Sequence, residues 1–279
     1  MNWEEAEHPR RPDGRFRDKS GRWAQTLLDQ LGYGGLDILE QQVRTGTETE
    51  NHPFMQQGVQ ARVSIVELKM PDGSTKTTIQ KLYEREFLGT ESAGEAMASL
   101  IGLAVGAPVP AVVLDEHNPD LLHMDYLPGV APFRKATEQE RDGPDGRLLG
   151  LLDLLVNNKD RNGSNWLVLE DGSIAGIDHG VVDLNRESVD TSEENQRWPH
   201  NDFTSHYLRR RVGLATGGPL AENDWHPDDL AEVERRLRVL FESERYKRLK
   251  EPAHSDEYLI LERLAAIRAL ARGTVRRLT

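Results

Sequence analysis

Asn157–Gly180, NNKDRNGSNWLVLEDGSIAGIDHG, is the stretch whose reading decides the fold. Trp166–Leu169 and Ile174–Ile177 are short apolar runs separated by the turn-forming Glu170-Asp171-Gly172-Ser173, so a β-hairpin is expected. A four-residue turn sets Trp166 opposite Ile177 and, one rung further out, Asn165 opposite Asp178. Directly opposed residues of an antiparallel pair have Cβ atoms about 4.5–5.5 Å apart, and two oxygen ligands so placed suit a hard cation such as Mg2+. Asp160 stands five positions before Asn165, in a loop that Gly163 is expected to let turn sharply. The open end of the hairpin thus gathers a loop carboxylate beside a carboxamide–carboxylate pair.

Phosphoryl transfer uses such a set: a base to orient the attacking hydroxyl, and metal ligands to neutralise phosphate charge. The pattern Asp-x4-Asn, hairpin, Asp-x-Gly resembles the catalytic and metal-binding loops of the protein-kinase-like superfamily. Asp160-Arg161 with Asn165, then Ile177-Asp178-His179-Gly180, is more similar to the phosphatidylinositol 3/4-kinase-like branch, with HipA-type kinases next, than to ordinary Ser/Thr kinases. That branch commonly has His after the Arg, where this chain has Asn162. The resemblance implies Asp160 as base, Asn165 and Asp178 as Mg2+ ligands, and ATP as phosphoryl donor. The competing reading is an Asp/Asn/Gly-rich surface hairpin without chemistry.

Composition narrows the classes. A chain of 279 residues is long enough for one two-lobed domain or two modest ones. Its net charge of −12 argues against nucleic acid as the main partner. The absence of Cys removes disulfides, thiolate catalysis and Cys-based zinc sites. No apolar run approaches membrane-spanning length, and the polar start MNWEEAEHPRRPDGRF has no apolar leader core, so a cytoplasmic protein is expected. Residues 1–35 read as a polar tail, although Trp3, Phe16 and Trp23 are many aromatics for one.

Residues 36–126 read as a β-rich lobe. Leu36–Arg44 is expected as a first strand and Thr45–Gly58 as a polar loop. A hairpin follows, Ala61–Met70 and Thr75–Tyr83 around Pro71-Asp72-Gly73-Ser74. Period-2 alternation puts Ile79, Lys81 and Tyr83 on one face, where a lysine among apolar neighbours needs an anion. Glu84–Val105 reads as a helix ended by Gly106 and Pro108, with Glu91 and Glu95 on one side. The resemblance implies that Lys81 grips the α/β-phosphates, that Glu95 (or else Glu91) orients it, and that Ile79 lies against adenine. It also places the hinge at Met124–Tyr126, whose backbone would hydrogen-bond the base. The Gly-rich loop of ordinary protein kinases is missing, and Thr45, Thr47 and Thr49 are the alternative phosphate contacts.

Residues 127–279 read as a helical lobe. Ala131–Asp145 is a charged connector, Arg147–Val156 a buried helix carrying the odd Asp153, and Val181–His200 an acidic irregular segment. Helices are expected over 202–216, 227–250 and 256–278. The fold class is therefore α+β, a bilobal kinase-like fold with the site in the cleft. No HExxH, GxxxxGK[ST] or G-x-S-x-G occurs, which removes the common zinc-hydrolase, P-loop and serine-hydrolase signals. The expected activity is transfer of the γ-phosphate of ATP to a hydroxyl. A protein Ser/Thr acceptor comes first, as the HipA-type resemblance implies, then a small molecule, then a lipid headgroup. Nucleotidyl transfer and nucleotide binding without transfer use much the same residues and stay open.

Overall fold

The computed structural model describes residues 33–53, 61–83, 91–158, 160–185, 201, 203 and 227–271. The expectations for 1–32, for the helix start at 84–90, and for 186–200 and 204–216 lie outside the described residues.

The described part of the chain begins with helix α1, Tyr33–Thr45, where a strand was expected over Leu36–Arg44. Leu36 and Leu39 are buried and Val43 packs beside them, a spacing of three and four that fits a helical face and no strand. Strand β1, Thr47–Pro53, replaces the expected loop and pairs antiparallel with β2, Ala61–Lys69. Every residue of β1 is exposed, so it has no apolar alternation by which to announce itself. Strand β3, Thr75–Tyr83, closes the expected hairpin in the register Lys69↔Thr75 to Ala61↔Tyr83. Helix α2, Glu91–Val105, then leads to β4, Val112–Leu114, and β5, Leu121–Asp125. The five strands form one antiparallel sheet ordered β1-β2-β3-β5-β4.

A short β6, Gly129–Val130, opens the second half and pairs with β7, Trp166–Leu169. Between them lie α3, Glu138–Asp142, and α4, Pro144–Leu155. Thr137 and Glu140 form a capping box on α3, while Pro144 stands in the first turn of α4, where no amide hydrogen is needed. Strand β8, Ile174–Gly176, completes a three-stranded sheet ordered β6-β7-β8. Further along, the described residues form three helices: α5, Pro227–Phe241, α6, Glu244–Lys250, and α7, Glu257–Ala271. The helix expected over 227–250 is thus two, because the Ser243 hydroxyl accepts from the Tyr246 amide and starts a new helix.

This is an α+β fold, an antiparallel sheet set against a helical half. A single large apolar cluster runs from Leu36 and Leu39 through α2 and α4 to Ile260, Leu264 and Ile267 of α7. Helix α2 is apolar or small nearly all round and buried along almost its whole length. Its Ala96 joins a second cluster beneath the sheet with Tyr83, Val112, Leu122 and Met124.

Candidate active site

Lys81 stands where the alternation of β3 puts it, on the face that looks toward α2. Its Nζ lies 2.7 Å from Glu95 Oε2 and 2.8 Å from Asp178 Oδ1. Of the two helix glutamates, Glu95 is the one at Lys81, fully buried and reached also by the Tyr83 hydroxyl, which donates to Oε2 at 2.5 Å. The backbone amide of His179 donates to its other oxygen at 3.3 Å. Burial works against the Lys81 charge, but Glu95 and Asp178 outweigh it and raise the ammonium well above its ordinary value. Burial and the neighbouring Glu95 also push the Tyr83 phenol up, so it stays a hydrogen-bond donor.

The hairpin forms, but in a register one residue away from the expected one. Trp166 pairs with Gly176, Leu167 with Ala175 and Val168 with Ile174. The Leu169 amide donates to the Ser173 carbonyl at 2.9 Å, so the loop is Glu170–Gly172, three residues and not four. Gly172 at φ 81° supplies the left-handed residue that such a loop requires. Asn165 therefore faces Ile177, whose amide donates to the Asn165 carbonyl at 3.0 Å. Asp178 comes one step later and takes φ 55°, itself left-handed, with its carboxylate on Lys81.

Asp160 and Asn165 are in direct contact. The Asn165 carboxamide donates to the Asp160 carbonyl at 2.5 Å and to Asp160 Oδ2 at 3.1 Å. Asn162, at the position where the resembled branch commonly has His, donates to Asp160 Oδ1 at 2.8 Å. The carboxylate is thus oriented by two carboxamides. Gly163 stands in the expected sharp turn, which the Asn165 amide closes on the Asn162 carbonyl at 2.9 Å, with a backbone that is not left-handed. It permits close approach: a Cβ there would lie 2.3 Å from the Arg134 carbonyl oxygen, and Phe133 donates its amide to Gly163 at 2.9 Å.

Two oxygen groups are available for a cation. Asn165 Oδ1 accepts from the Ser164 hydroxyl at 2.9 Å and keeps a second lone pair, and Asp178 is half-exposed, with one oxygen on Lys81. Hard oxygen donors of this kind fit Mg2+ brought in with phosphate oxygens and water. Among the described residues, no group of three or more His, Cys, Asp and Glu side chains is gathered to hold a metal by itself. Partial desolvation raises the Asp178 carboxyl, but Lys81 and then Arg161 outweigh this and hold it below the usual range.

Arg161, which reads from sequence as a loop-steadying, phosphate-contacting or surface residue, is completely buried against Asp153 of α4, with Nη2 2.8 Å from Oδ1. Its Nη2 also donates to His179 Nδ1 at 2.7 Å. A guanidinium only donates, so Nδ1 accepts and the His179 proton sits on Nε2. Burial, then Arg161 and Lys81, hold His179 well below its ordinary value and keep it neutral. The sequence signal for this cluster is Asp153 itself, a carboxylate inside the apolar LLGLLDLLV.

The expected nucleotide contacts divide. Ile79 sits directly across from Met124, on the strand face that also carries Lys81. Met124 and Asp125 lie within β5 between two strands, and the Asp125 amide donates to Ala111 at 3.0 Å, so Tyr126 alone lies past the paired strand. Thr45, Thr47 and Thr49 are misplaced for phosphate. Thr47 pairs with Lys69, six residues along β2 from the Val63 that faces Lys81, about 20 Å at strand rise. The Thr45 and Thr49 hydroxyls are spent on the carbonyls of Gln41 and Glu67.

The lysine–glutamate pair bridging β3 and α2 thus meets, at Asp178, the hairpin that the Asp160–Asn165 loop runs into. No family model matches the chain. Among curated proteins the chain is similar to Protein Rv2133c of Mycobacterium tuberculosis (strain ATCC 25618 / H37Rv), 30% identical over 144 residues, 46% of this chain and 51% of that protein. The chain thus spans about half the length of the curated relative it matches. Among solved structures it is similar to the Helicobacter pylori proinflammatory kinase CtkA, with TM-score 0.45, 14% identity, and 80% of this chain and 97% of that chain covered. It is also similar to the Rio2 kinase–ADP/Mg2+–phosphoaspartate complex from Chaetomium thermophilum, with TM-score 0.36, 15% identity, and 90% and 88% covered. No helix among the described residues is long and apolar enough to cross a membrane.

Proposed function

We propose that the chain is an atypical kinase of the phosphatidylinositol 3/4-kinase-like or HipA-like kind, transferring the γ-phosphate of ATP to a hydroxyl. A protein serine or threonine is the acceptor that its motif implies, and a small molecule is the alternative. The observation that carries the reading is Lys81, held on Glu95 at 2.7 Å and on Asp178 at 2.8 Å, with Asp178 one residue past the Ile177 that bonds Asn165, itself in contact with Asp160. A buried ammonium already fixed by one carboxylate can exchange the other for a phosphate oxygen without losing its neutral surroundings. Asp160, held by Asn162 and Asn165, takes the acceptor proton as the hydroxyl oxygen bonds to the γ-phosphorus and the bond to ADP breaks. Mg2+ would be held by Asn165 and Asp178 and would neutralise the phosphate charge. Ile79 and Met124 offer adenine an apolar wall, and the backbone from Tyr126 onward offers it hydrogen bonds.

Phosphorus-31 NMR of the protein with Mg-ATP, alone and with candidate acceptors, tests this. ADP with a new phosphoester signal is the expected result. AMP or pyrophosphate would mean nucleotidyl transfer, and ATP left intact after binding would mean a module without chemistry.

A further inference from the structure

Arg161 is chemically saturated. Its Nε donates to Asp153 Oδ2 at 3.2 Å and Nη2 to Asp153 Oδ1 at 2.8 Å. Nη1 donates to the carbonyls of Asn165 at 2.6 Å and Ile177 at 2.5 Å, and Nη2 to His179 Nδ1 at 2.7 Å. All five donors of the guanidinium are used, a satisfaction that the three donors of a lysine could not reproduce. The acceptors are not scattered. Arg161 itself follows Asp160, one acceptor is the backbone of Asn165, and the other two residues flank Asp178 on either side. The Asn165 carbonyl is also the acceptor for the Ile177 amide, so the guanidinium reinforces the last rung of the hairpin before Asp178 departs.

We propose that Arg161 is the positioning residue that fixes Asp160 relative to Asn165 and Asp178, and that Asp153 is its anchor. The role in transfer rests on the kinase reading above, while the geometric role stands without it. Asp153 is itself immobilised: Oδ1 accepts from the Asn158 carboxamide at 2.9 Å and Oδ2 from Asn201 at 3.2 Å. A helix-borne carboxylate thereby sets the guanidinium, and the guanidinium sets the two loops. Displacements on the order of 1 Å at such a junction cost about a hundredfold in rate.

Two variants test this in the full chain: Arg161→Lys, which keeps the charge but not the fork, and Asp153→Leu with Arg161→Met, which removes both buried charges at similar volume. Hydrogen exchange of the nucleotide-free protein is read at the Asn165 and Ile177 amides and, for reference, along the β2–β3 hairpin. Acceleration of about tenfold or more at Asn165 and Ile177, with the reference amides unchanged, is the expected result in both variants. Mg-ATP turnover should fall about a hundredfold, with kcat carrying most of the change. Wild-type protection at Asn165 and Ile177 overturns the proposal. So does equal acceleration over the whole chain in both variants, which would make the pair a fold stabiliser only. If the wild type has no turnover at all, the kinase reading fails, and the exchange measurement still decides the positioning role.

Discussion

Lys81 lies between two carboxylates of different standing. Glu95 is fully buried and Asp178 is 49% exposed, so only the second can be traded for a ligand at low cost. Removing the lysine leaves Glu95 with the Tyr83 hydroxyl and the His179 amide, and no cation to balance it. Lys81→Ala should therefore cost about 3–5 kcal/mol of stability as well as nucleotide turnover, and Lys81→Met with Glu95→Gln should recover most of the stability but none of the turnover. Urea unfolding beside an ATP assay checks this, and a Lys81→Ala protein as stable as wild type would show that the Lys81–Glu95 pair does not hold the fold. The two aspartates should fail differently. Asp178→Asn should weaken Mg-ATP binding and turnover together, whereas Asp160→Asn should leave binding near wild type and cut transfer on the order of 10²–10⁴-fold. Calorimetric titration with Mg-ATP beside single-turnover kinetics separates them, and equal modest effects would favour the binding module. At this scale the position of Lys81 was legible in the alternation of β3, because strand periodicity alone puts it on a face. For Arg161 the sequence leaves a loop-steadying, a phosphate-contacting and a surface role side by side, and the fold, by supplying Asp153 from α4, favours the first.

The same turn chemistry appears twice in the chain. Asp72 accepts from the Ser74 amide at 2.9 Å and hydroxyl at 2.6 Å, and Asp171 does the same for Ser173 at 2.9 and 2.5 Å. Both turns have Gly after the Asp, at φ 85° and 81°, and both close three-residue loops. The register at Asn165 was thus open to reading from Asp-Gly-Ser, had the serine been counted as the first strand residue and not as the last of the turn. Gly172 has open space where a Cβ would go, so strain and not crowding decides its substitutions. Gly172→Asn should be nearly neutral and Gly172→Ala should cost about 1 kcal/mol, since Asn tolerates the left-handed region and Ala does not. Equal unfolding midpoints for the two variants would count against the assigned loop. The Leu36–Arg44 stretch has apolar residues that suit a strand, but the spacing of Leu36, Leu39 and Val43 belongs to a helical face, and α1 follows it. Strand β1 carries no apolar face at all, so only its pairing with β2 reveals it.

Across the whole molecule, acid should act in two stages. Burial draws the His123 imidazole below its ordinary value, with Asp115 at 3.5 Å and then Glu48 offsetting part of that. His179 is shifted the same way. A depressed histidine binds its proton more readily in the unfolded chain, so stability is complete above about pH 6.5 and declines as pH falls below that value. Carboxylates held low follow at more acid pH, among them Asp178 and Glu140, the latter pulled down to about 2 by Arg134. Denaturation midpoints measured between pH 7.5 and 5 should fall, and His123→Gln should flatten that fall, whereas an unchanged slope would mean that His123 is already protonated in the fold. The greasy shaft of α2 sets a further bound on what the chain can be divided into. Ala96 belongs to the cluster beneath the sheet, while Met97 and Ile101 belong to the one shared with α4 and α5, so one helix is interior to both halves. Neither half is then a module that could be excised, shuffled or expressed alone with its surface intact. Scanning calorimetry of the intact protein should give a single endotherm, and fragments cut between Val105 and Leu148 should be insoluble apart yet soluble when made together.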